Sequence, residues 1–316
     1  MNVIQRLSFK VIAIVLMLAG LAGCKSEISP SRATLTYQGS GPINIVCTTG
    51  MVADLVANIG QKHVKVTQLM KAGVDPHLYK ASPGDMRLFN ESDVIFYSGH
   101  HLEGKMTELL EQLNRKKVSL PVTEKIDSPS LLRTEENVVD PHLWFDVKLW
   151  QQASYFIRDE LCRYDPSHAA DYRAASAAYD KQLEEMDKYA REQLGTIEKS
   201  RRVLVTAHDA FRYFGKAYDV EVKSIQGIST ESEASVKDIN ELVNFIVARK
   251  IKAVFVETSV SEKNIKALVE GCAAQNHAVI VGGELFSDAP GEEGKPDATY
   301  LGMVKHNVDV IVKALK

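Results

Sequence analysis

The chain has 316 residues, 45% hydrophobic and 25% charged, with 38 Lys and Arg against 41 Asp and Glu for a net charge of -3. Those proportions exclude a fibrous or disordered chain, and the near balance of charge gives no basic surface for nucleic acid or an acidic membrane. At about 100–200 residues per domain, the length predicts about two domains.

The first residues read as an address. Arg6 and Lys10 precede an uncharged apolar stretch, Val11 to Gly23. It is too short for a membrane-spanning helix, which takes about 20 residues, and small residues end it, as in a secretory signal. Leu21-Ala22-Gly23-Cys24 resembles a bacterial lipobox, so cleavage is expected to leave Cys24 as a lipidated first residue. Two or more acyl chains anchor stably where one does not. The expected location is therefore extracytoplasmic and membrane-anchored, in the periplasm or at the cell surface. Residues 24–41, rich in Ser, Pro, Thr and Gly, read as a tether. Cys47, Cys162 and Cys272 then remain, an odd number with no CxxC spacing, and read as small core residues.

From Pro42 onward, short β-rich runs alternate with helical patterns. Strands are predicted at Ile43–Thr48, Val64–Leu69, Val94–Ser98 and Val118–Leu120, with helices at Met51–Gly60, Ser82–Glu91 and Leu102–Asn114 between them. A second series follows: strands Val203–Ala207, Val220–Ile225, Ala253–Val256 and Ala278–Val281, and helices Asp209–Tyr218, Ser235–Arg249 and Ser261–Gln275. Such alternation implies βαβ units and parallel sheets, here twice. Between the series, Ser167 to Leu194 contains neither Gly nor Pro and reads as one long helix, a stiff strut. The predicted architecture is α/β: an N-terminal lobe over 42–166, a linking helix over 167–199 and a C-terminal lobe over 200–316.

Ligands of open parallel sheets bind beyond the carboxyl ends of the strands. His208, Glu257, Glu284 and Asp288 follow predicted strand ends in the second half, and His77, His100 and His101 in the first. One echo is more specific: Asp75-Pro76-His77-Leu78-Tyr79 recurs as Asp140-Pro141-His142-Leu143-Trp144. Asp caps a helix and Pro suits its first position, so each His is expected to project from a pre-set helical turn. A single copy would read as a cap; two rigidly placed imidazoles look like ligands for one metal.

The segments DPHLY, SGHHLEGKM, DPHLWFD, VLVTAHDAF, QGISTESEAS, GGELFSDA and TYLGMVKHN resemble the cluster A-I substrate-binding proteins of bacterial ABC transporters for manganese, zinc and iron. The resemblance runs from about Pro42 to the C-terminus and includes the lipobox. It implies two Rossmann-like lobes with a rigid linking helix and one buried divalent ion (Zn2+, Mn2+ or Fe2+) between the lobes. The ligands it implies are His77, His142, His208 and Asp288. It also implies a monomer that delivers metal to a separate permease driven by a cytoplasmic ATPase. This chain has no GxxxxGK[ST] phosphate loop of its own.

Other residues compete. His100 and His101 are expected to start a helix or support the site, and Glu257 to bond backbone or a neighbouring helix. Asp297 reads as a solvated residue ahead of the last helix, and His63, His168, His277 and His306 as surface or helix-end residues. Tyr79, Trp144 and Phe211 are expected to wall the site. Alternative functions are a surface adhesin, a zinc hydrolase with Glu257 as base, and an organic-solute carrier. The first lacks an adhesive motif, the second an HExxH, and the third a strand-end Arg or aromatic sandwich. Imidazole favours zinc over manganese, and manganese-dedicated relatives place Glu where His208 stands. Zinc-dedicated relatives carry a His-rich loop between the first two ligands, yet Gly104 to Asp140 contains no His. The two departures oppose each other and imply a broad zinc, manganese or iron specificity.

Overall fold

The computed structural model describes residues 36–316; the expected signal segment and Cys24 lie outside the described residues. Four parallel strands form the first sheet: β1 (Ile43–Cys47), β2 (Val64–Gln68), β3 (Val94–Tyr97) and β4 (Val118–Pro121), in the order β2-β1-β3-β4. Ile43 pairs with Val64, Ile45 with Val94, and Val94 with Val118. The central β1 and β3 are almost wholly buried, as helix-covered parallel strands must be.

Helix α1 (Gly50–Gly60) starts where the Thr49 hydroxyl accepts from Val52 N, and α2 (Pro83–Glu91) starts with a reciprocal Ser82–Asp85 capping box. Helix α3 is only Thr107–Leu113, shorter than predicted. His100 and His101 take left-handed φ values of 50° and 62°, so they form a turn and start no helix. The buried Glu103 carboxylate holds that turn, accepting from Ser98 N, Gly99 N and the Thr48 hydroxyl.

Helix α4 (Val147–Tyr164) is absent from the predicted elements. Its buried Leu149, Trp150, Ala153, Ile157 and Leu161 follow helical spacing, but Gln151 and Gln152 interrupt the apolar run. After the short turn Pro166–His168 comes the long helix α5 (Ala169–Gly195), 27 residues, or about 40 Å. Its buried stripe of Tyr172, Ser176, Tyr179, Leu183, Asp187, Ala190 and Leu194 packs on α1 and α4. Tyr179 also donates to Asp54 of α1 at 2.9 Å.

The C-terminal lobe pairs β5 (Val203–Thr206) with β6 (Glu221–Ser224), and β7 (Ala253–Glu257) with β8 (Ile280–Leu285), both in parallel. Its helices are α6 (Arg212–Tyr218), α7 (Val236–Arg249), α8 (Lys263–Ala274) and α9 (Tyr300–Leu315). β8 begins two residues later than predicted and runs four further, through Gly282 and Gly283. Neither glycine ends the strand: a Cβ at Gly282 would meet Ala314 at 2.8 Å and one at Gly283 would meet Val310 at 2.5 Å, so they let α9 pack closely on β8. Helix α9 in turn packs on α5. One hydrophobic cluster therefore runs from β1 through α1, α4 and α5 to α9 and Leu285 of β8, while each lobe also has a smaller cluster of its own. The two lobes share packing through the linking helix, the arrangement expected of a strut.

Candidate metal centre

His77 lies in the loop between β2 and α2, His142 in the loop before α4, His208 two residues beyond β5, and Asp288 three residues beyond β8. The two halves of the chain thus contribute two residues each. Neither Asp-Pro-His segment begins an α-helix, contrary to expectation. Residues 76–78 form a turn in which Asp75 Oδ1 accepts from His77 N at 2.9 Å, and Asp140 Oδ1 accepts from His142 N at 3.1 Å ahead of the short 3-10 turn Leu143–Phe145. The Asp side chains close turns on the second following residue, a geometry Asp shares with capping. The helix after His142 is capped instead by Asp146, which accepts from Lys148 N.

The four side chains converge. One donor atom from each lies within 4.8 Å of every other, and all four residues are buried. Asp288 oxygens stand 3.4 Å from His142 Nε2, 3.2 Å from His208 Nε2 and 4.0 Å from His77 Nε2. Metal bonds of about 2.0–2.2 Å place tetrahedral donors about 3.4 Å apart, close to these separations. The Nε2 atoms of all three His and both Asp288 oxygens are buried without a hydrogen-bond partner. Leaving one such group unsatisfied costs about 1–3 kcal/mol. Five such atoms face one another in a donor group that could hold a cation.

Carboxylates orient two of the imidazoles. Asp140 Oδ1 lies 2.8 Å from His142 Nδ1, and Glu257 Oε2 lies 2.6 Å from His208 Nδ1 while its Oε1 accepts from His208 N at 2.9 Å. Each contact fixes the tautomer that turns Nε2 inward and strengthens the ring as a ligand. The backbone bond expected of Glu257 is present, at His208 N, but neither carboxylate–imidazole pairing follows from the sequence. Asp140 was visible in the repeat, but only as a cap, and the role expected of Glu257 was a bond to backbone or a neighbouring helix.

Burial pushes His77 down to about 3, so its ring is neutral at physiological pH. Burial also opposes charge on His142, but Asp140 and Asp288 beside it prevail and raise it to about 9. His208 is raised well above its ordinary value, since Glu257 and Asp288 outweigh burial. Burial would lift Asp288, yet the His208 and His142 rings hold it well below the usual carboxylate range.

Trp144 stacks edge-on against His142, with ring centroids 5.2 Å apart, and donates its indole N–H to Ser287 O at 3.0 Å, beside Asp288. Phe211 packs 4.2 Å from Phe145. Tyr79 instead donates to Asp85 at 2.8 Å and ties its loop to α2. His100, His101, Glu284 and Asp297 lie outside the donor group. His63 and His168 stack on each other at 3.9 Å, His277 meets Ile251 O, and His306 meets Glu284 O.

The sequence pattern of the family described as zinc-uptake complex component A, periplasmic, matches residues 45–314. The manganese-binding lipoprotein MntA of Bacillus subtilis is 45% identical over 297 residues, covering 94% of this chain and 95% of that protein. The zinc-binding protein TroA of Treponema pallidum is 46% identical over 271 residues, 86% of this chain and 88% of that one. The solved periplasmic zinc-binding TroA structure superposes with a TM-score of 0.85 over 87% of this chain and 99% of its own. With that match across nearly the whole described chain, and two α/β lobes bridged by one helix, the protein belongs to the ZnuA family of periplasmic metal-uptake components.

Proposed function

We propose that this chain is the extracytoplasmic solute-binding component of a metal ABC transporter, capturing one divalent transition ion at His77, His142, His208 and Asp288 for delivery to a membrane permease. The buried cluster of three imidazole nitrogens and one carboxylate, with no hydrogen-bond partner on the facing atoms, carries this reading. Four protein donors close the shell of a tetrahedral ion, whereas a catalytic zinc keeps a position open for water. That favours carriage over hydrolysis. The names of the relatives cover both zinc and manganese, which supports a site that accepts either ion. Metal analysis of protein purified from its own host tests the assignment: one equivalent of zinc, manganese or iron is expected, and a metal-free chain that binds none in titration would refute it.

The lipobox reading adds an anchor at Cys24, in keeping with relatives named as lipoproteins. Cys24→Ser is expected to abolish labelling by a palmitate analogue, and equal labelling of the variant would contradict the anchor.

The raised His142 also sets a pH dependence. Its imidazolium, bonded to Asp140 and facing the Asp288 charge at 3.4 Å, stabilises the metal-free fold fully below its ordinary value of 6.5, and that contribution is lost as pH rises through about 9. Metal affinity runs the other way, because the ion must displace the proton. Zinc affinity is therefore expected to keep rising from pH 7 to 9 and to fall steadily below 7. Isotherms across that range check it, and a plateau already reached at pH 7 would contradict it.

A further inference from the structure

The loop over residues 226–234, between β6 and α7, belongs to the C-terminal lobe but reaches the N-terminal one. Its base is tied close to His208: Asp209 N donates to Gly227 O at 3.2 Å, and Gln226 Nε2 donates to Ser232 O at 3.2 Å within the loop. Its tip crosses the cleft. The Thr230 hydroxyl donates to Asp75 Oδ2 at 2.6 Å, and Glu231 pairs with Lys105 of the turn Gly104–Met106 at 2.9 Å. Asp75 is the residue whose other oxygen accepts from His77 N. One carboxylate therefore shapes the turn that presents a donor and also receives the strap from the opposite lobe.

We propose that Thr230 and Glu231 form a strap that holds the His77 turn in place and so sets how fast the ion leaves. This rests on the metal-capture reading above. Thr230 is nearly buried, which shields its hydrogen bond to a carboxylate from water, whereas the half-exposed Lys105–Glu231 pair is screened. The hydroxyl is thus the stronger tie, and the ion pair fixes its approach. When the strap lifts, Asp75 loses its cross-lobe partner and the His77 turn is held from one side only. The strap therefore acts on the His77 turn itself, locally, at the point where the two lobes meet.

The test is the rate at which zinc passes from the loaded full-length chain to excess chelator. Thr230→Val removes the donor at nearly constant volume and is expected to speed release about tenfold, the equivalent of losing one hydrogen bond to a charged group. Thr230→Ser, which keeps the hydroxyl, is expected to release at close to the wild-type rate. Glu231→Lys is expected to speed release roughly two- to fivefold, and combining it with Lys105→Glu to restore it. Release from Thr230→Val at the wild-type rate, with one zinc still bound, would overturn the strap and leave metal capture standing. So would failure of the charge swap to restore the Glu231→Lys rate. A wild-type chain that binds no zinc would overturn both.

Discussion

Replacing His142 with alanine is expected to lower zinc affinity more than about 100-fold, beyond the roughly 10–100-fold that loss of a supporting partner causes. Two losses combine. The ion keeps only His77, His208 and Asp288, and the fully buried Asp140 carboxylate loses the ring it orients while Arg212 stays at 3.5 Å. Asp140→Asn separates the two effects: it retains the imidazole and weakens only its support, so its affinity should lie between wild type and His142→Ala. Asp288→Ala should match His142→Ala, since it removes the one carboxylate facing all three rings. Competition against a chelator of known strength measures all three variants, and thermal melts without metal show whether each folds. Wild-type affinity in a folded His142→Ala would remove this residue from the site.

The second large effect concerns which ion is held. His208→Glu is expected to raise the manganese-to-zinc affinity ratio roughly tenfold, equivalent to about 1.4 kcal/mol. Manganese prefers oxygen donors and higher coordination, whereas zinc accepts three imidazoles and a carboxylate. The cost falls on the support. Glu257 now lies 2.6 Å from an imidazole nitrogen and would face a second carboxylate, and two like charges so close cannot both ionise freely. The single variant should therefore lose affinity for both ions even as the ratio moves. Adding Glu257→Gln should recover part of that affinity while keeping the new ratio. Paired zinc and manganese titrations at one pH decide the matter, and an unchanged ratio in both variants would place specificity elsewhere.

Much of this was legible along the chain, and the remainder was not for physical reasons. The doubled Asp-Pro-His pointed to a metal because residue type and spacing are local features, and strand-end position made His208 and Asp288 candidates that the family resemblance singled out. The form of the Asp-Pro-His turns was misjudged, since Asp closes a turn and caps a helix with the same oxygen. The partnership of Glu257 with His208 depends on β5 lying beside β7, and no local pattern encodes that contact across the chain. The same holds for Thr230 and Asp75, brought together from opposite lobes. The end of β8 was misplaced: the strand continues through Gly282 and Gly283, whose lack of a Cβ admits α9, a contact that no local pattern shows. Helix α4 was missed because glutamines break up an apolar face that only its buried neighbours make plain.

The continuous core beneath α5 bears on selectivity. A carrier that clamps shut by swinging its domains can reject a misfit through shape, because the wrong guest leaves the clamp ajar. This molecule packs Tyr172, Tyr179, Leu183 and Leu194 along a single spine that ties both lobes into one cluster, an arrangement that opposes such travel. Ions of similar radius and equal charge then meet nearly the same walls. What remains to tell them apart is the electronic preference of three nitrogens and one carboxylate. A cell using such a carrier would sort its metals by supply and by the chemistry of those four donors, since the outline of the loaded protein would reveal little about its cargo.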